Sequence, residues 1–295
     1  MSRNNRSRLE NTKNNKPETS EESDLVLEEQ LAGLEKLSFA TPTEIVDLPS
    51  QGKHYPEGHP LHDVGQIEIR FMTAKDEDIL SSRSLLKNGL ALDRLLSNII
   101  VDERIRPRQL LVGDRNALII ASRITGYGPE YKTEAKCPSC ETVTEFTYDL
   151  GDSTLQLIDE QSLEEEGIEV VGCNQFQITL PVLKLPVVIR ILSGEDELEL
   201  ASRSRAREKS KKEVHNDSVD LMRRMIVSVL GRDTSDIVNR LAQHLTARDA
   251  KYIRDAYAKI SCDIDISQPF HCSECEYEKE DMGVPLTAAF FWPGR

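Results

Sequence analysis

Four cysteines, arranged as two short pairs far apart in the chain, are the residues with the clearest capacity for chemistry. The first pair lies in Cys137-Pro138-Ser139-Cys140 and the second in Cys272-Ser273-Glu274-Cys275. A single C-x-x-C pattern is weak evidence, because redox centres and chance both produce it. Two pairs are stronger evidence, since four thiolates suit one tetrahedral zinc ion. The sequence predicts a structural site, because four cysteine ligands leave no coordination position for water.

Other uses of these cysteines differ in how well they fit. A disulfide needs an oxidising compartment, and the opening residues Met1-Ser2-Arg3-Asn4-Asn5 begin no signal peptide. A thioredoxin-like redox motif would lie between a strand and a helix, whereas both cysteine pairs here lie between strand-like arms. Iron in a rubredoxin-like site uses similar ligands and stays open beside zinc. Cys262 and His271 are reserve ligands, whereas Cys173 is predicted to be a small buried hydrophobe.

Alternating residues around each pair predict the hairpins that must hold the cysteines. Apolar or β-prone residues alternate with charged ones over residues 131–135, and the alternation resumes over 143–148. Before the second pair, residues 262–266 alternate apolar side chains with aspartates. Period-2 arms flanking a tight turn are typical of a hairpin knuckle. We therefore predict a zinc ribbon split in two by a long helical insertion.

The remaining patterns predict an α+β chain, with a helical body, a small antiparallel β portion and the split four-cysteine zinc ribbon. Strand patterns cover residues 67–71, 176–180 and 187–191. The helix patterns begin at a capping box at Thr73, at Asp114 as N-cap for residues 117–124, at Ser193, at Asp217 (to Leu230), at Ser235 (to Leu245) and at Thr246 (to Ile260). Asn88-Gly89 is expected to break the first of these helices.

The composition of the chain and the motifs it lacks exclude several classes of function. The 295 residues include 51 acidic and 37 basic side chains, and the net charge of -14 argues against general affinity for nucleic acid. No apolar run approaches the ~20 residues that span a bilayer, so the expected class is soluble, intracellular and acidic. No Gly-rich phosphate loop, Ser-His-Asp order or H-E-x-x-H motif occurs. We therefore predict no catalytic residue, no cofactor-binding residue outside the metal site and no small-molecule substrate.

Two further clusters each have a chemical and a structural interpretation. His54, His59 and His62 could form a second metal site, but their spacing fits no helical or hairpin ligand pattern and favours a polar loop. The basic residues between Arg203 and Lys212 could contact nucleic acid or an acidic partner. Alternate positions rotate by about 200° on a helix, so these charges spread around it and favour a solvated helix.

Five motifs, taken in order, carry a specific resemblance. They are Leu48-Pro49-Ser50-x-Gly52-x-x-Tyr55-Pro56, Glu68-Ile69-Arg70-x-Met72-Thr73-Ala74-Lys75, Leu92-Asp93-Arg94-Leu95-Leu96, Gly113-Asp114-Arg115-Asn116, and the run from Tyr131 through Cys140. Together they resemble the T4-type bacteriophage base-plate protein family, which includes a baseplate hub component of contractile tails. The similarity covers residues 44–150, and the second cysteine pair with its aromatic ending fits as well, whereas 151–260 matches only loosely.

This resemblance implies a non-enzymatic structural or assembly role in the virion tail baseplate, with the host cytoplasm as the place of assembly. The expected partners are other phage baseplate and hub proteins. The alternative is an intracellular zinc-ribbon adaptor that contacts protein or nucleic acid through the basic run. Either way, we expect four segments: a disordered or short-helix tail (1–43), a family core with the first knuckle (44–150), a strand and helical insertion (151–260), and the second knuckle with an aromatic C-terminus (261–295).

The aromatic ending concentrates Phe290, Phe291 and Trp292 in the last residues. Each such side chain buries about 150–250 Å², so exposing all three to water is unfavourable. The sequence leaves two interpretations open: the segment covers the protein's own core, or it docks on a neighbouring tail protein.

Overall fold

The computed structural model of the protein describes residues 41–209, 217–284 and 288–291. Residues 1–40 of the predicted N-terminal tail, with its short helix, and Trp292 lie outside these residues, whereas Thr43, the last residue of that tail, begins a strand. The strands are β1 Thr43–Asp47, β2 Gln66–Arg70, β3 Glu130–Lys136, β4 Val143–Asp149, β5 Thr154–Gln156, β6 Glu169–Gly172, β7 Gln175–Thr179, β8 Pro186–Ile189, β9 Ile226–Val229, β10 Asp263–Asp265, β11 Gln268–His271 and β12 Glu278–Met282. The helices are α1 Ala74–Ser81, α2 Arg83–Asn88, α3 Ala91–Ile99, α4 Val112–Tyr127, α5 Glu160–Glu165, α6 Gly194–Lys209, α7 Asp217–Met225, α8 Ser235–His244 and α9 Ala247–Ile260.

These elements confirm the predicted α+β class. The strands form small antiparallel sheets, of which the largest has the order β6-β7-β8-β9. The others are the pairs β1-β2, β3-β4, β5-β10 and β11-β12. One apolar core runs beneath most of the helices and the four-stranded sheet, and a small separate core lies between the two cysteine hairpins. The four-segment division of the chain stays a prediction.

A similar order of elements occurs twice, with two additional strands, β9 and β10, in the second repeat; the sequence patterns did not predict this repetition. In the first repeat (residues 43–149) a β-hairpin leads through helices to α4 and then to the β3-β4 hairpin; in the second repeat (residues 175–282) β7-β8 leads through helices to α9 and then to β11-β12. The strand registers agree, because Val46 faces Ile67 in the first repeat as Ile178 faces Val187 in the second. Each repeat therefore delivers one cysteine hairpin from an equivalent helix.

A partly exposed arginine paired with a buried aspartate joins strand to helix in each repeat. In the first, Arg70 donates to both carboxylate oxygens of Asp76, at 2.7 and 3.0 Å, and the amide and hydroxyl of Thr73 donate to the same carboxylate. This arrangement confirms the capping box predicted at Thr73. In the second repeat the same bonds join Arg190, Ser193 and Asp196. The turn from strand to helix is thus fixed in the same way twice.

A fully buried aspartate in the first turn of α4 and of α9 ties each long helix to the hairpin loop of its repeat. Asp114 accepts hydrogen bonds from the amide of Ser50 at 2.9 Å and from the hydroxyl of Tyr55 at 2.7 Å. Asp249 accepts one from the amide of Val182 at 2.8 Å. Ser50 and Val182 each follow a Leu-Pro pair, and the same number of residues separates each aspartate from the first cysteine of its repeat.

Two predicted helix boundaries are wrong. Asp114 is not the N-cap of a short helix over 117–124, because Leu111 is the N-cap and Asp114 turns inward to the Leu-Pro loop. The helix predicted from Asp217 to Leu230 ends at Met225, since the β-branched residues of β9 add a strand to β8. In the first repeat, Ile100 forms a single bridge to β2 at the equivalent place.

Arg123, buried in α4, fixes the C-terminal segment to the start of the first cysteine hairpin. Its guanidinium donates to the carbonyl oxygens of Phe290 and Gly128 at 2.7 Å and of Glu130 at 3.0 Å. Phe290 packs edge-on against Tyr131, with 5.1 Å between the ring centroids. Phe290 and Phe291 are both buried. These two aromatic residues therefore cover the protein's own core.

Acidification should weaken the two capping pairs. Burial raises the pKa of Asp76, but hydrogen bonds from Arg70 and Thr73 outweigh it and lower that pKa to about 2; Asp196 shifts in the same direction. Since both folded pKa values lie below the unfolded value, their contribution to stability is complete above pH ~4 and is lost as the pH falls towards ~2. Urea unfolding across this range should show a shallower pH dependence for Asp76→Asn with Asp196→Asn than for the wild type.

The exposed carboxylate Asp78 lies in the same helix as Asp76. Asp78→Asn is therefore the control, and its pH dependence should follow the wild type. An equally steep loss of stability in the double variant and the wild type would contradict the proposed contribution of the capping pairs.

Replacing Arg123 with methionine should lower the free energy of unfolding by about 3 kcal/mol, because one buried and two partly buried hydrogen bonds to carbonyl groups are lost. Urea unfolding followed by circular dichroism measures the change. Arg94→Met changes an exposed arginine and should stay within about 0.5 kcal/mol of the wild type. Equal stability of the two variants would show that the Arg123 contacts contribute little.

Candidate metal centre

The β3-β4 hairpin carries the first cysteine pair at its tip. Its strands pair in register from Glu130 opposite Asp149 to Lys136 opposite Val143. At the tip, the amide of Cys137 donates to the carbonyl of Thr142 at 2.9 Å and the amide of Glu141 donates to the carbonyl of Cys137 at 3.0 Å. The amide of Ser139 also donates to the Cys137 sulfur, at 3.4 Å. The backbone therefore closes around the first sulfur.

The β11-β12 hairpin repeats this tip geometry. The amide of Cys272 donates to the carbonyl of Tyr277 at 2.9 Å, and the amide of Glu276 donates to the carbonyl of Cys272 at 3.2 Å. The residue after each second cysteine has a positive φ, 61° at Glu141 and 56° at Glu276. The two C-x-x-C segments are therefore matching knuckles, one from each repeat.

One predicted hairpin arm is wrong. Residues 262–266 were expected to lead into the second knuckle, but Asp263–Asp265 pairs with β5 and the arm is Gln268–His271. The carboxylate of Asp265 accepts the amide of Ser267 at 2.8 Å and so turns the chain between the two strands. The alternating residues do form a strand, but this strand pairs with β5 and does not belong to the second knuckle.

The four predicted sulfur atoms meet between the two tips, all within 4.8 Å of one another. Cys137 lies 3.7 Å from Cys275, and Cys140 lies 3.7 Å from Cys272, sulfur to sulfur. Ligands about 2.3 Å from a zinc ion in a tetrahedron lie about 3.8 Å apart, whereas a disulfide needs about 2.05 Å. Among the described residues, no other group of three or more His, Cys, Asp or Glu is placed to hold a metal ion.

The apolar contact between the two hairpins is small. Cys137 and Cys272 are buried with Ala135 and Phe270 in a cluster separate from the main core. Phe146 adds a ring contact to Phe270, with 5.5 Å between centroids. So few apolar residues give little hydrophobic stabilisation, and small domains of this kind usually depend on a metal or a disulfide.

The thiols differ in acidity. The hydroxyl and amide of Thr142 lower the pKa of the Cys140 thiol to about 6. The amide of Tyr277 favours the Cys275 thiolate, but desolvation and the three neighbouring thiols outweigh it and raise the pKa of Cys275 to about 11. Ionising one sulfur therefore disfavours ionising the next, as expected for like charges in contact. A divalent cation would remove that penalty, so the donor set fits a metal ion that prefers thiolates.

The reserve ligands and the remaining cysteine lie elsewhere. Cys262 is buried in the main core, where burial and the nearby Asp114 raise its pKa. His271 is exposed and lies 3.2 Å from the carboxylate of Glu278. The prediction that Cys173 is buried is wrong, because it follows the edge strand β6 and is exposed.

The histidine cluster has structural contacts of its own. The Nδ1 of His62 lies 2.7 Å from the carbonyl of Tyr55, and the Nδ1 of His59 accepts the amide of Leu61 at 3.2 Å. His54 packs against Phe176, 5.5 Å between centroids. These contacts fit the predicted polar loop.

The basic helix is not simply solvated, which corrects that prediction for its described arginines. Arg203 and Arg207 both lie beside the buried carboxylate of Asp220 on α7. Arg205 donates to the carbonyl of Lys87 at 3.1 Å. The sequence expectation missed these pairs, because their acidic partner lies beyond the basic run. The arginines therefore join α6 to its neighbours, and residues 210–212 lie outside the described residues.

None of the helices in the described residues combines the length and apolar character needed to cross a bilayer. No curated protein and no solved structure matches the chain. A family model described as T4 bacteriophage base plate protein matches residues 41–292, which include both repeats and all four clustered cysteines. The chain therefore belongs to the T4 bacteriophage base plate protein family.

Proposed function

We propose that the protein is a non-enzymatic structural or assembly component of the baseplate hub of a contractile-tailed phage. The family match over residues 41–292 carries this proposal. It implies a location in the virion tail and association with other phage proteins. Assembly in the host cytoplasm and a place in the hub are the finer parts of the proposal, and they rest on the motif resemblance described above.

We also propose that Cys137, Cys140, Cys272 and Cys275 bind one structural zinc ion. The sulfur spacing and the mutual suppression of thiol ionisation support this assignment. A zinc ion coordinated by these four sulfur atoms would link the two knuckles to each other. Because about 130 residues separate the knuckles, the link restricts the unfolded chain and stabilises the folded one. Its task in this proposal is to hold the two repeats together.

The arginine contacts weigh against the adaptor alternative. A nucleic-acid surface needs cations that are free to meet phosphates. Arg203 and Arg207 face Asp220, and Arg205 is bonded to the carbonyl of Lys87. Together with the net charge of -14, these contacts favour a protein over a nucleic acid as the partner of this chain, which agrees with the proposed baseplate role.

The purified protein should contain one zinc per chain, and Cys140→Ser and Cys272→Ser should each abolish it. Elemental analysis by mass spectrometry gives the metal content. Hydrogen exchange at the amides of Cys137 and Cys272 should accelerate in both variants, since the tips lose their link, while α4 keeps its protection. Cys173→Ser, at an exposed cysteine outside the site, is the matched control and should keep its zinc. Iron in place of zinc, or four thiols alkylated as fast as Cys173, would contradict the assignment.

A phage lacking this protein should accumulate tails without complete baseplates, and the wild-type gene should restore them. Electron microscopy of infected lysates gives the count of complete baseplates. Mass spectrometry of purified virions then separates the two forms of the proposal: a stoichiometric presence indicates a hub component, and abundance only in the lysate indicates an assembly factor. Normal baseplates without the protein would contradict both.

A further inference from the structure

The two repeats differ at the outer edge of their first strand. In the second repeat β6 covers the edge of β7, with Glu169 opposite Gln177 and Val170 opposite Phe176. In the first repeat β1 pairs with β2 alone among the described strands. The strand that occupies this edge in one half of the molecule thus has no counterpart in the described part of the other half.

The equivalence of β1 and β7 rests on register and on the residues that follow. Glu44 faces Ile69 as Phe176 faces Ile189. Each strand then enters a Leu-Pro pair whose next amide donates to a buried helix aspartate. Ile45 therefore occupies the position of Gln177, the residue that β6 covers.

The hydrogen bonds at the two ends of the β1-β2 hairpin fix which backbone groups face outward. Leu48 donates to the carbonyl of Gly65, and Phe71 donates to the carbonyl of Pro42. Bonded and non-bonded pairs alternate along an antiparallel ladder, so Glu44 and Val46 face β2. The amides and carbonyls of Thr43, Ile45 and Asp47 face the open edge instead. Such a row of groups, which no described strand pairs, is a template for another strand.

The side chains along this edge are suited to an apolar contact. Ile45 is 64% exposed, more than any other large hydrophobic residue among those described. Val101, which continues the same face beyond Glu68, is 46% exposed. Glu44 and Asp47 add negative charge at either side of Ile45. Proteins usually pair or cover a strand edge that exposes a large apolar side chain.

We propose that β1 binds an extended segment of a neighbouring baseplate protein, which pairs antiparallel with β1 in the place that β6 takes on β7. Backbone hydrogen bonds from Thr43, Ile45 and Asp47 supply the affinity, as in other cases of strand addition. The segment has an apolar residue opposite Ile45 and a basic residue opposite Glu44, because directly opposed side chains lie on one face. This inference rests on the proposed baseplate function and adds its contact surface.

Photo-cross-linking in infected cells tests the contact with the full-length chain. Ile45→p-benzoylphenylalanine should cross-link to an extended segment of another baseplate protein in isolated tail intermediates. Val64→p-benzoylphenylalanine is the control, since Val64 is 41% exposed but lies outside the strand edge. Cross-links to residues 1–40 of the same chain or to a second copy, or equal yields at the two positions, would overturn the inference. The presence of the chain in the intermediates is measured separately by immunoblot, and its absence there would contradict the proposed function itself.

A pair of proline variants separates loss of the contact from loss of the fold. Ile45→Pro removes an outward amide that β2 does not use, so melting temperature and zinc content should stay at wild-type values. Incorporation into baseplates should fall about tenfold, since one backbone hydrogen bond is lost and the ring blocks close approach. Gln177→Pro, at the position that β6 covers, should instead lower the melting temperature. If Ile45→Pro were incorporated into baseplates as efficiently as the wild-type protein, the inference would be overturned.

Discussion

The buried guanidinium of Arg123 is the contact on which the placement of the first cysteine hairpin and of Phe290 depends. Three carbonyl oxygens surround it, two from the start of the first hairpin, at Gly128 and Glu130, and one from Phe290, beyond the second hairpin. A charged group without water is tolerated only when its donors are satisfied, so the three segments cannot separate independently. The helix that carries Arg123 also carries Asp114, and one rigid element thus positions the Leu-Pro loop, the hairpin and the chain end.

The clustering of the four cysteines follows from the repetition of the fold. Each repeat ends its long helix in a hairpin, and each hairpin carries one cysteine pair in the same tip geometry. Two equivalent bidentate donors that face each other give a tetrahedron of sulfur atoms directly. The chain segment between the pairs, which looks like an insertion in the sequence, contains most of the second repeat.

Local patterns predicted the local structure well. Cysteine spacing identified the four cysteines that the structure brings together, and the polar residues at Thr73 and Thr246 identified two helix starts, because each signal lies within a few residues. Burial and pairing depend on distant residues, so Cys173 and the arm at 262–266 were predicted wrongly. The repetition was missed because few residue types recur: a Leu-Pro pair, an Arg with a Ser or Thr and an Asp around one turn, and the distance from a helix aspartate to a cysteine.

The uneven strand edges have a consequence for stoichiometry. Two identical subunits joined by a twofold axis would offer every surface in duplicate, and a ligand bound by one would be bound by both. Here the two halves belong to one chain, and β6 covers the edge of β7 while β1, among the described strands, pairs with β2 alone. Under the contact proposed at β1, the chain presents two similar halves but one strand edge to a partner, so each copy of the chain would bind one such segment and not two.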